Sequence, residues 1–208
     1  NSMFYGLSNV TKLDLSNFNT SKVTDMNRMF YSNRSLVDID LSSFDTSNVT
    51  DMSLMFIGSS SLKRLDLKNF VTSKVQNMSS MFQRCSSLEY LNVSSFNTSS
   101  VTNMSRMFYG LSKITSLELT NFNTSEVLNM SNMFSESSLL TNLNLSSFAT
   151  SKVTDMTRMF YKCSSLSNLD LSQASFSAVT ANDEIFTLVP SNVTITINSA
   201  SKDYILNL

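Results

Sequence analysis

The sequence predicts an α/β repeat solenoid, in which one parallel strand and one short helical or 3-10 turn recur in every 26 residues. Three observations predict it. A Met-Phe pair returns every 26 residues, phenylalanine and methionine are confined to a few positions of that period, and a Leu-x-x-Leu-x-Leu segment keeps the same place in each repeat. Repeat positions are numbered here from the methionine of each pair. The pairs begin at Met3, Met29, Met55, Met81, Met107, Met133 and Met159.

Phenylalanine marks two positions of the repeat. Position 2 is Phe in every repeat from Phe4 to Phe186, and position 16 is Phe from Phe18 to Phe148. Methionine fills position 24 as well as position 1. Residues at one position of stacked coils lie above one another, so these side chains should form continuous columns in the core. A single repeat buries too little apolar surface to fold alone, and stability therefore comes from contacts between neighbouring repeats.

The rest of the repeat indicates its local structure. Positions 8, 11 and 13 are aliphatic, as in Leu62, Leu65 and Leu67, and the Leu-x-Leu end alternates as a strand does. We expect these strands to join into one parallel sheet with a spacing of ~4.8 Å. Position 25 holds residues such as Asn27 and Ser53, which are favourable helix N-caps. A short helix or 3-10 turn should therefore begin there.

Two stretches resemble a known repeat family. They are Met159-Phe-Tyr-Lys-Cys-Ser-Ser-Leu-Ser-Asn-Leu-Asp-Leu-Ser172 and Phe44-Asp-Thr-Ser-Asn-Val-Thr-Asp-Met-Ser53. Both are similar to the 26-residue bacterial surface repeat of BspA-like leucine-rich repeat proteins, which occur in Gram-positive bacteria, mycoplasmas and some mucosal protozoa. The resemblance covers about residues 1–184. It implies a right-handed, curved, leucine-rich-repeat-like superhelix on an extracellular surface protein that is often anchored by other parts of the chain. It brings no catalytic residues with it.

The chain divides into residues 1–172, which are tandem repeats, and residues 173–208, which we interpret as a divergent last repeat and C-terminal cap. Ala174 replaces the expected Phe, and Pro190 interrupts the pattern. Residues 193–197 still alternate as a strand, and residues 204–208 should fold over the open end, since terminal repeats must stop the stack. No signal peptide precedes the first repeat, so we expect a mature or excised piece whose natural chain continues before Asn1.

Composition excludes several classes of function. The chain has no histidine, so the commonest acid–base catalyst and the commonest transition-metal ligand are absent from the sequence. Its 15 basic and 16 acidic residues are interspersed, unlike the basic patch that a nucleic-acid-binding surface needs. No apolar run approaches the ~20 residues of a membrane helix. We expect no enzyme activity, no cofactor, no bound metal, no nucleic-acid partner and no membrane contact within this chain.

The candidate binding surface is the strand face, defined as repeat positions 10, 12 and 14, whose side chains should point to solvent. Its N-terminal half is richer in charged and aromatic residues than its C-terminal half. Aromatic and Arg side chains dominate binding hot spots, and Arg64 is placed to stack on Tyr90. The predicted ligand-binding cluster consists of Asp38, Asp40, Arg64, Asp66, Lys68 and Tyr90.

Two alternatives stand beside this site. The acidic column at position 12, which includes Asp14, Asp40 and Asp66, would either recruit a cation or basic ligand, or pair with the alternating charges of position 10. Calcium needs six to eight converging oxygens, which a line of carboxylates does not supply, so self-pairing is the stronger interpretation. The whole face would then be only a solvated surface.

Three further columns are predicted to be structural. The threonines of position 18, which begin with Thr20, resemble an ice-binding array, but the neighbouring column is charged and hydrogen bonding to loop backbone is favoured. The Asp/Asn column at position 23, which begins with Asp25, is interpreted in the same way. Cys85 and Cys163 lie three repeats apart, at ~14 Å, which is too far for a disulfide. Both should be free thiols.

These observations lead to two functional hypotheses. The first is an extracellular, cell-surface binding or adhesion module that presents a curved parallel sheet to a host or matrix protein or glycan. The resemblance implies the location and the adhesion, and stacking supplies a pre-organised surface that binds at little entropic cost. The second is a structural spacer or stalk that displays another domain and has no ligand of its own.

Overall fold

The computed structural model describes residues 2–207 and forms a solenoid of about seven turns with a period of about 26 residues. The parallel register places each residue beside the one that follows 26 positions later, as in Lys12 with Asp38, Arg64 with Tyr90 and Asn168 with Thr194. This confirms the predicted solenoid and its period. The interpretations that involve Asn1 and Leu208 lie outside the described residues.

Within residues 2–207, short parallel strands line one side of the coils and form three small sheets, β1–β2, β3–β4 and β5–β6–β7. The strands are β1 (Lys12–Leu13), β2 (Asp38–Ile39), β3 (Arg64–Asp66), β4 (Tyr90–Asn92), β5 (Asn142–Asn144), β6 (Asn168–Leu171) and β7 (Thr194–Ile197). Among the described residues, the coil between β4 and β5 is paired with the third sheet only through a bridge between Ser116 and Asn142. The expected single sheet is therefore interrupted, because strands of two to four residues lose regular pairing when one or two hydrogen bonds are missing.

A second parallel ladder runs along position 23. Consecutive bridges join Asp25 to Asp51, Asp51 to Asn77, and so on as far as Ala181. The Met-Phe segment is also hydrogen-bonded between coils, since Phe30 N–H donates to the Met55 carbonyl at 2.9 Å. The backbone of each coil is thus tied to its neighbour at several points around its circumference.

The segment after position 25 takes the form of successive β-turns within the described repeats, where a short helical turn was expected. The N-cap role is wrong, because the Met29 N–H already donates to the Met26 carbonyl and the Phe30 N–H to the next coil. Two positions per repeat adopt left-handed backbone, as Arg28 (φ 56°) and Arg84 (φ 58°) illustrate. A helix would direct these N–H groups along its own axis. The turns instead direct the N–H groups of Arg28 and Arg84 into the neighbouring coil, where they donate to the carbonyls of Ser53 and Tyr109.

The core consists of the predicted columns. Phenylalanine rings at position 2 stack with centroids 5.4–5.9 Å apart, from Phe4 to Phe186. Rings at position 16 stack at 6.3–6.5 Å from Phe70 to Phe148. The methionines of positions 1 and 24 are buried beside them from Met26 onward. Offset stacking at these distances adds aromatic attraction to the burial of apolar surface.

The C-terminal segment contains β7, a 3-10 helix (Ser199–Ser201) and the helix α1 (Lys202–Leu206). The Tyr204 ring stacks on Phe176 at 4.8 Å, and the Asn198 amide donates to the Ala174 carbonyl at 2.7 Å. The segment therefore packs against the last coil. The division at residue 173, and the role of residues 173–208 as a cap, stay predictions. Within residues 2–207, no helix has the length and apolar character needed to cross a membrane.

Candidate functional site

The strand face brings Arg64 and Tyr90 into direct contact. The two residues pair across β3 and β4, and the guanidinium carbon lies 3.6 Å from the centroid of the Tyr90 ring. Position 10 points outward on both strands, so both side chains remain exposed, Tyr90 at 38%. The stacking expected from the sequence is present. It fixes a cation and an aromatic ring in one place on the surface.

Asp66 is the anionic centre of the cluster. Its carboxylate lies 3.9 Å from the Arg64 guanidinium and 4.0 Å from the Lys68 ammonium, and it accepts a 2.9 Å hydrogen bond from the Asn92 amide. The Lys68 backbone N–H also donates to it, at 3.2 Å. These contacts hold Asp66 in place and leave the two cations partly neutralised. They correspond to the self-pairing alternative at this one position.

Asp38 and Asp40 lie on the preceding coil and differ from Asp66 in having no cationic partner. Both are exposed, and neither makes an ion pair with any described residue. A shallow groove of about 390 Å³ is lined by Asp38, Asp40, Arg64, Asp66 and Lys68 among others. The structure therefore brings all six predicted residues to one face, with two carboxylates that lack a cationic partner on one side and the Arg64–Tyr90 pair on the other. Their role in binding a ligand stays a prediction.

The position 12 column has a structural role in turns. Asp14 accepts hydrogen bonds from the Ser16 hydroxyl and backbone N–H, which lower the pKa of this carboxyl below its usual value of 3.8. The backbone N–H of Ser42, with its hydroxyl, lowers the pKa of Asp40 in the same way. In each case a carboxylate oxygen accepts a hydrogen bond from the backbone N–H two residues further along the chain, which stabilises the turn. Among residues 2–207, no group of His, Cys, Asp and Glu is arranged to hold a metal ion.

The threonines of position 18 are buried and bridge neighbouring coils. Thr72 donates to the Asn97 carbonyl at 2.8 Å and accepts from the Asn97 N–H at 2.8 Å, and the column repeats this pattern. One threonine hydroxyl therefore satisfies both the N–H and the carbonyl of a residue in the next coil, as a backbone partner would in a strand ladder. This confirms hydrogen bonding to loop backbone and contradicts an exposed threonine array. The Asp/Asn column at position 23 behaves as predicted too, since Asp51 accepts from the Ser53 N–H at 2.7 Å.

Cys85 and Cys163 are free, as predicted, and both are buried. Each thiol donates to a carbonyl of the preceding coil, Cys85 to Phe56 and Cys163 to Phe134, both at 3.1 Å. Burial raises the pKa of both thiols to about 12. Ser59 occupies the same position and makes the same contact with Phe30 at 3.0 Å. The cysteines are therefore structural residues of the core.

Sequence reasoning overlooked a second surface, the turn edge, which we define as the exposed and half-buried side chains of repeat positions 25, 26, 3, 4 and 6. Five of the six arginines and four of the six tyrosines lie on it. The signal was present in the sequence as an Arg-Met-Phe-Tyr motif that occurs three times, ending at Tyr31, Tyr109 and Tyr161. The Met-Phe pair is buried in the core, whereas the Arg before it is exposed and the Tyr after it is half-buried.

The side chains of the turn edge contact one another between coils. The Tyr5 and Tyr31 rings stack at 4.9 Å, and the Arg84 guanidinium lies 5.7 Å from the centroid of the Tyr109 ring. The Arg84 side chain packs against Gly110, where a Cβ would lie 3.4 Å from the Arg84 Cγ. The pKa of Tyr109 is raised, first by partial burial and then by the neighbouring Glu136 carboxylate.

A family model described as "Mycoplasma protein of unknown function, DUF285" matches residues 1–94 and 84–197. The two matches cover nearly the whole repeat array. This chain belongs to that family. DUF285 membership fixes no activity, because the description itself assigns none. No curated protein matches the sequence.

Several solved structures are similar to this DUF285 chain at low sequence identity. Internalin C2 from Listeria monocytogenes is 20% identical, with 92% of this chain and 82% of that chain covered and a TM-score of 0.41. A leucine-rich repeat protein from Bacteroides ovatus is 15% identical over 94% and 64%, with a TM-score of 0.32. An LRR protein from Leptospira interrogans is 14% identical over 84% and 53%, also with a TM-score of 0.32.

Proposed function

We propose that this chain is a binding module of an extracellular, cell-surface adhesion protein, and that its strand face engages a host or matrix protein or glycan. The single observation that carries the proposal is the stacked pair of Arg64 and Tyr90 beside the unpaired carboxylates of Asp38 and Asp40. Such a surface offers an aromatic ring, a planar cation and two anions within neighbouring coils. Arg and Tyr are, with Trp, the side chains most enriched at the energetic hot spots of protein interfaces.

Rigidity supports the same proposal. Asp66 is held by Asn92 and lies next to both cations, so the cluster has little freedom to lose when a partner binds. A partner then meets groups whose positions are already set, and less of the interaction free energy is spent on ordering. The surface location rests on the resemblance to BspA-like repeats and is part of the proposal.

The experiment compares two double variants at the same repeat position. Arg64→Glu with Tyr90→Ala removes the stacked pair, and Ser116→Glu with Asn142→Ala makes the same kind of change further along the strand face. Binding of each purified variant to whole cells and to immobilised matrix proteins and glycans is measured beside its thermal unfolding. We expect the first variant to lose binding at an unchanged melting temperature, and the second to retain it.

A structural spacer without a ligand is the second candidate. It is favoured by the self-pairing of other surface columns, such as Lys74 with Asn48 at 2.7 Å and Lys152 with Glu126 at 2.7 Å. Exposed pairs of this kind contribute little free energy, and groups that pair with each other are not free to bind a partner. Unchanged binding in both double variants, or no binding by the parent chain, would favour the spacer.

A further inference from the structure

Positive charge is concentrated along the first part of the turn edge. Residues 27–34, 53–60, 79–86 and 105–112 contain four arginines and no aspartate or glutamate, although the chain as a whole has a formal net charge of −1. The four are Arg28, Arg34, Arg84 and Arg106. Because coils stack in register, Arg28 and Arg106 lie in one column along the solenoid axis, and Arg34 and Arg84 lie at nearby repeat positions of the same edge; together we call them the arginine row. Such a row creates a local positive potential that the net charge conceals.

The four guanidinium groups are available to a partner. All four are exposed, and within residues 2–207 none of them makes an ion pair. The later coils differ. Arg158 pairs there with Glu184, and Lys162 lies 3.8 Å from Glu136. In the C-terminal part of the turn edge the cations are therefore paired with carboxylates of the same chain. In the N-terminal part, within residues 2–207, the arginines have no such partner and can bind another molecule.

Tyrosines lie beside these arginines. Tyr5 and Tyr31 present stacked rings at one end of the row, and Tyr109 stands beside Arg84 at the other. Tyr5 is 55% exposed. Tyrosine adds apolar contact area at a small cost in side-chain entropy, and an Arg guanidinium donates two parallel hydrogen bonds to a carboxylate. Together they match a protein segment that carries carboxylates and apolar groups.

We propose that the turn edge of the first five coils binds an acidic protein segment that lies along the solenoid axis. Arg28 and Arg106 are three coils apart, or about 14 Å at the usual spacing of parallel strands. An extended segment of four or five residues spans that distance. Recognition of acidic motifs by Arg clusters is an established mode of peptide binding. This surface is separate from the strand face, so either site can exist without the other.

The repeat itself supplies substitutions that preserve the fold. Arg28, Arg84 and Arg106 have left-handed backbone, and Glu136 and Glu184 occupy the equivalent positions in later coils at φ 61° and 56°. Arg28→Glu with Arg106→Glu therefore reverses the charge with residues that these positions already accept. The matched control is Lys22→Glu with Lys74→Glu, in a column where Glu126 is the natural residue of another coil. Both double variants change the net charge equally.

The probe is a fluorescein-labelled oligoglutamate peptide, measured by fluorescence anisotropy against the whole chain, with heparin as a second labelled probe. We expect the parent chain and the Lys22/Lys74 variant to bind the peptide alike, and the Arg28/Arg106 variant to bind it about tenfold more weakly or worse. The strand-face variant Arg64→Glu with Tyr90→Ala should bind it like the parent, which separates this proposal from the proposed function.

Three outcomes would overturn the proposal. Equal weakening by the two charge-reversal variants would mean that only net charge matters. Binding of heparin without binding of oligoglutamate would assign the row to a sulfated polysaccharide. Peptide binding that survives in the Arg28/Arg106 variant would place the acidic partner elsewhere. Thermal unfolding of every variant, expected to match the parent within a few degrees, shows that a loss of binding is not a loss of folding.

Discussion

The guanidinium of Arg64 lies 3.6 Å from the centroid of the Tyr90 ring, although 25 residues of chain separate the two positions. The contact exists because one repeat places residue 90 directly beside residue 64 in a parallel ladder. A surface pair of this kind is therefore a consequence of repeat length. It also makes the strand face uneven, since other coils carry Ser116 or Asn142 at the same position.

This pair should be energetically coupled. In a double-mutant cycle of Arg64→Gln and Tyr90→Leu, we expect a coupling free energy of about 0.5–1 kcal/mol, the usual value for a cation over an exposed aromatic ring. Urea unfolding of the parent, both single variants and the double variant measures it. If the changes in the free energy of unfolding of the two single variants add up to that of the double variant, the two side chains are stacked without net attraction.

The central phenylalanine column should dominate stability. Phe82 is fully buried and stacks on Phe56 at 5.9 Å and on Phe108 at 5.8 Å. Phe82→Ala should lower the free energy of unfolding by about 3–5 kcal/mol, because it removes a large side chain and leaves a cavity between two coils. Val71→Ala, at a side chain that is 48% exposed, is the control and should change it little. Equal effects at the two sites would contradict the core described here.

The stability of the folded chain should decrease at acidic pH. Hydrogen bonds from Ser16, Ser42 and Ser47 lower the pKa of Asp14, Asp40 and Asp45 below 3.8. A lowered pKa in the folded state means that these carboxylates stabilise the fold above their unfolded pKa, and that this contribution is lost as pH falls through the folded pKa. The melting temperature should therefore be nearly flat near neutral pH and decline below about pH 4.

The triple variant Asp14→Asn, Asp40→Asn and Asp45→Asn isolates this effect. Asparagine keeps the acceptor oxygen and occurs naturally in both columns, as Asn92 and Asn97. We expect the variant to match the parent at neutral pH and to lose less stability in acid. An identical acid-side decline would show that other carboxylates are responsible.

The thiols should be inert in the folded chain. Cys85 and Cys163 are buried, with a pKa raised to about 12, so almost no thiolate exists at neutral pH. A chromogenic disulfide reagent should label neither thiol under native conditions and both in denaturant. The replacement Cys85→Ser should fold normally, because Ser59 makes the same contact one coil earlier. Rapid native labelling would mean that the position 5 column is open to solvent.

The period of the sequence was sufficient to predict the columns. Phe82 follows Phe56 by one repeat, so stacking of the coils places one ring above the other, and large apolar side chains in such a column are buried in the interior. The Arg64–Tyr90 contact followed from the same register. The threonine contacts were predicted as well, because a charged neighbouring column made an exposed hydroxyl array unfavourable.

The backbone conformation of the turns was harder to predict from the sequence, and so was the grouping of arginines on the turn edge. Arg28 and Leu54 adopt left-handed backbone, which neither residue type favours, since packing between coils imposes that conformation on them. Local propensity therefore indicated a helical turn where the coils require β-turns. The row of unpaired arginines was overlooked because its members lie at three different repeat positions, 26, 4 and 6, and become neighbours only in the folded turns.

Cross-linking between coils tests the register on which every column and both proposed surfaces depend. Ser116 and Asn142 form the only bridge between the fifth coil and the third sheet within the described chain, so this is the most demanding place to test it. Under mild oxidation, Ser116→Cys with Asn142→Cys should form a disulfide readily, because residues paired in adjacent parallel strands lie about 5 Å apart. Ser116→Cys with Asn144→Cys should not. Preferential cross-linking of the second pair, or equal cross-linking of both, would contradict the 26-residue coil.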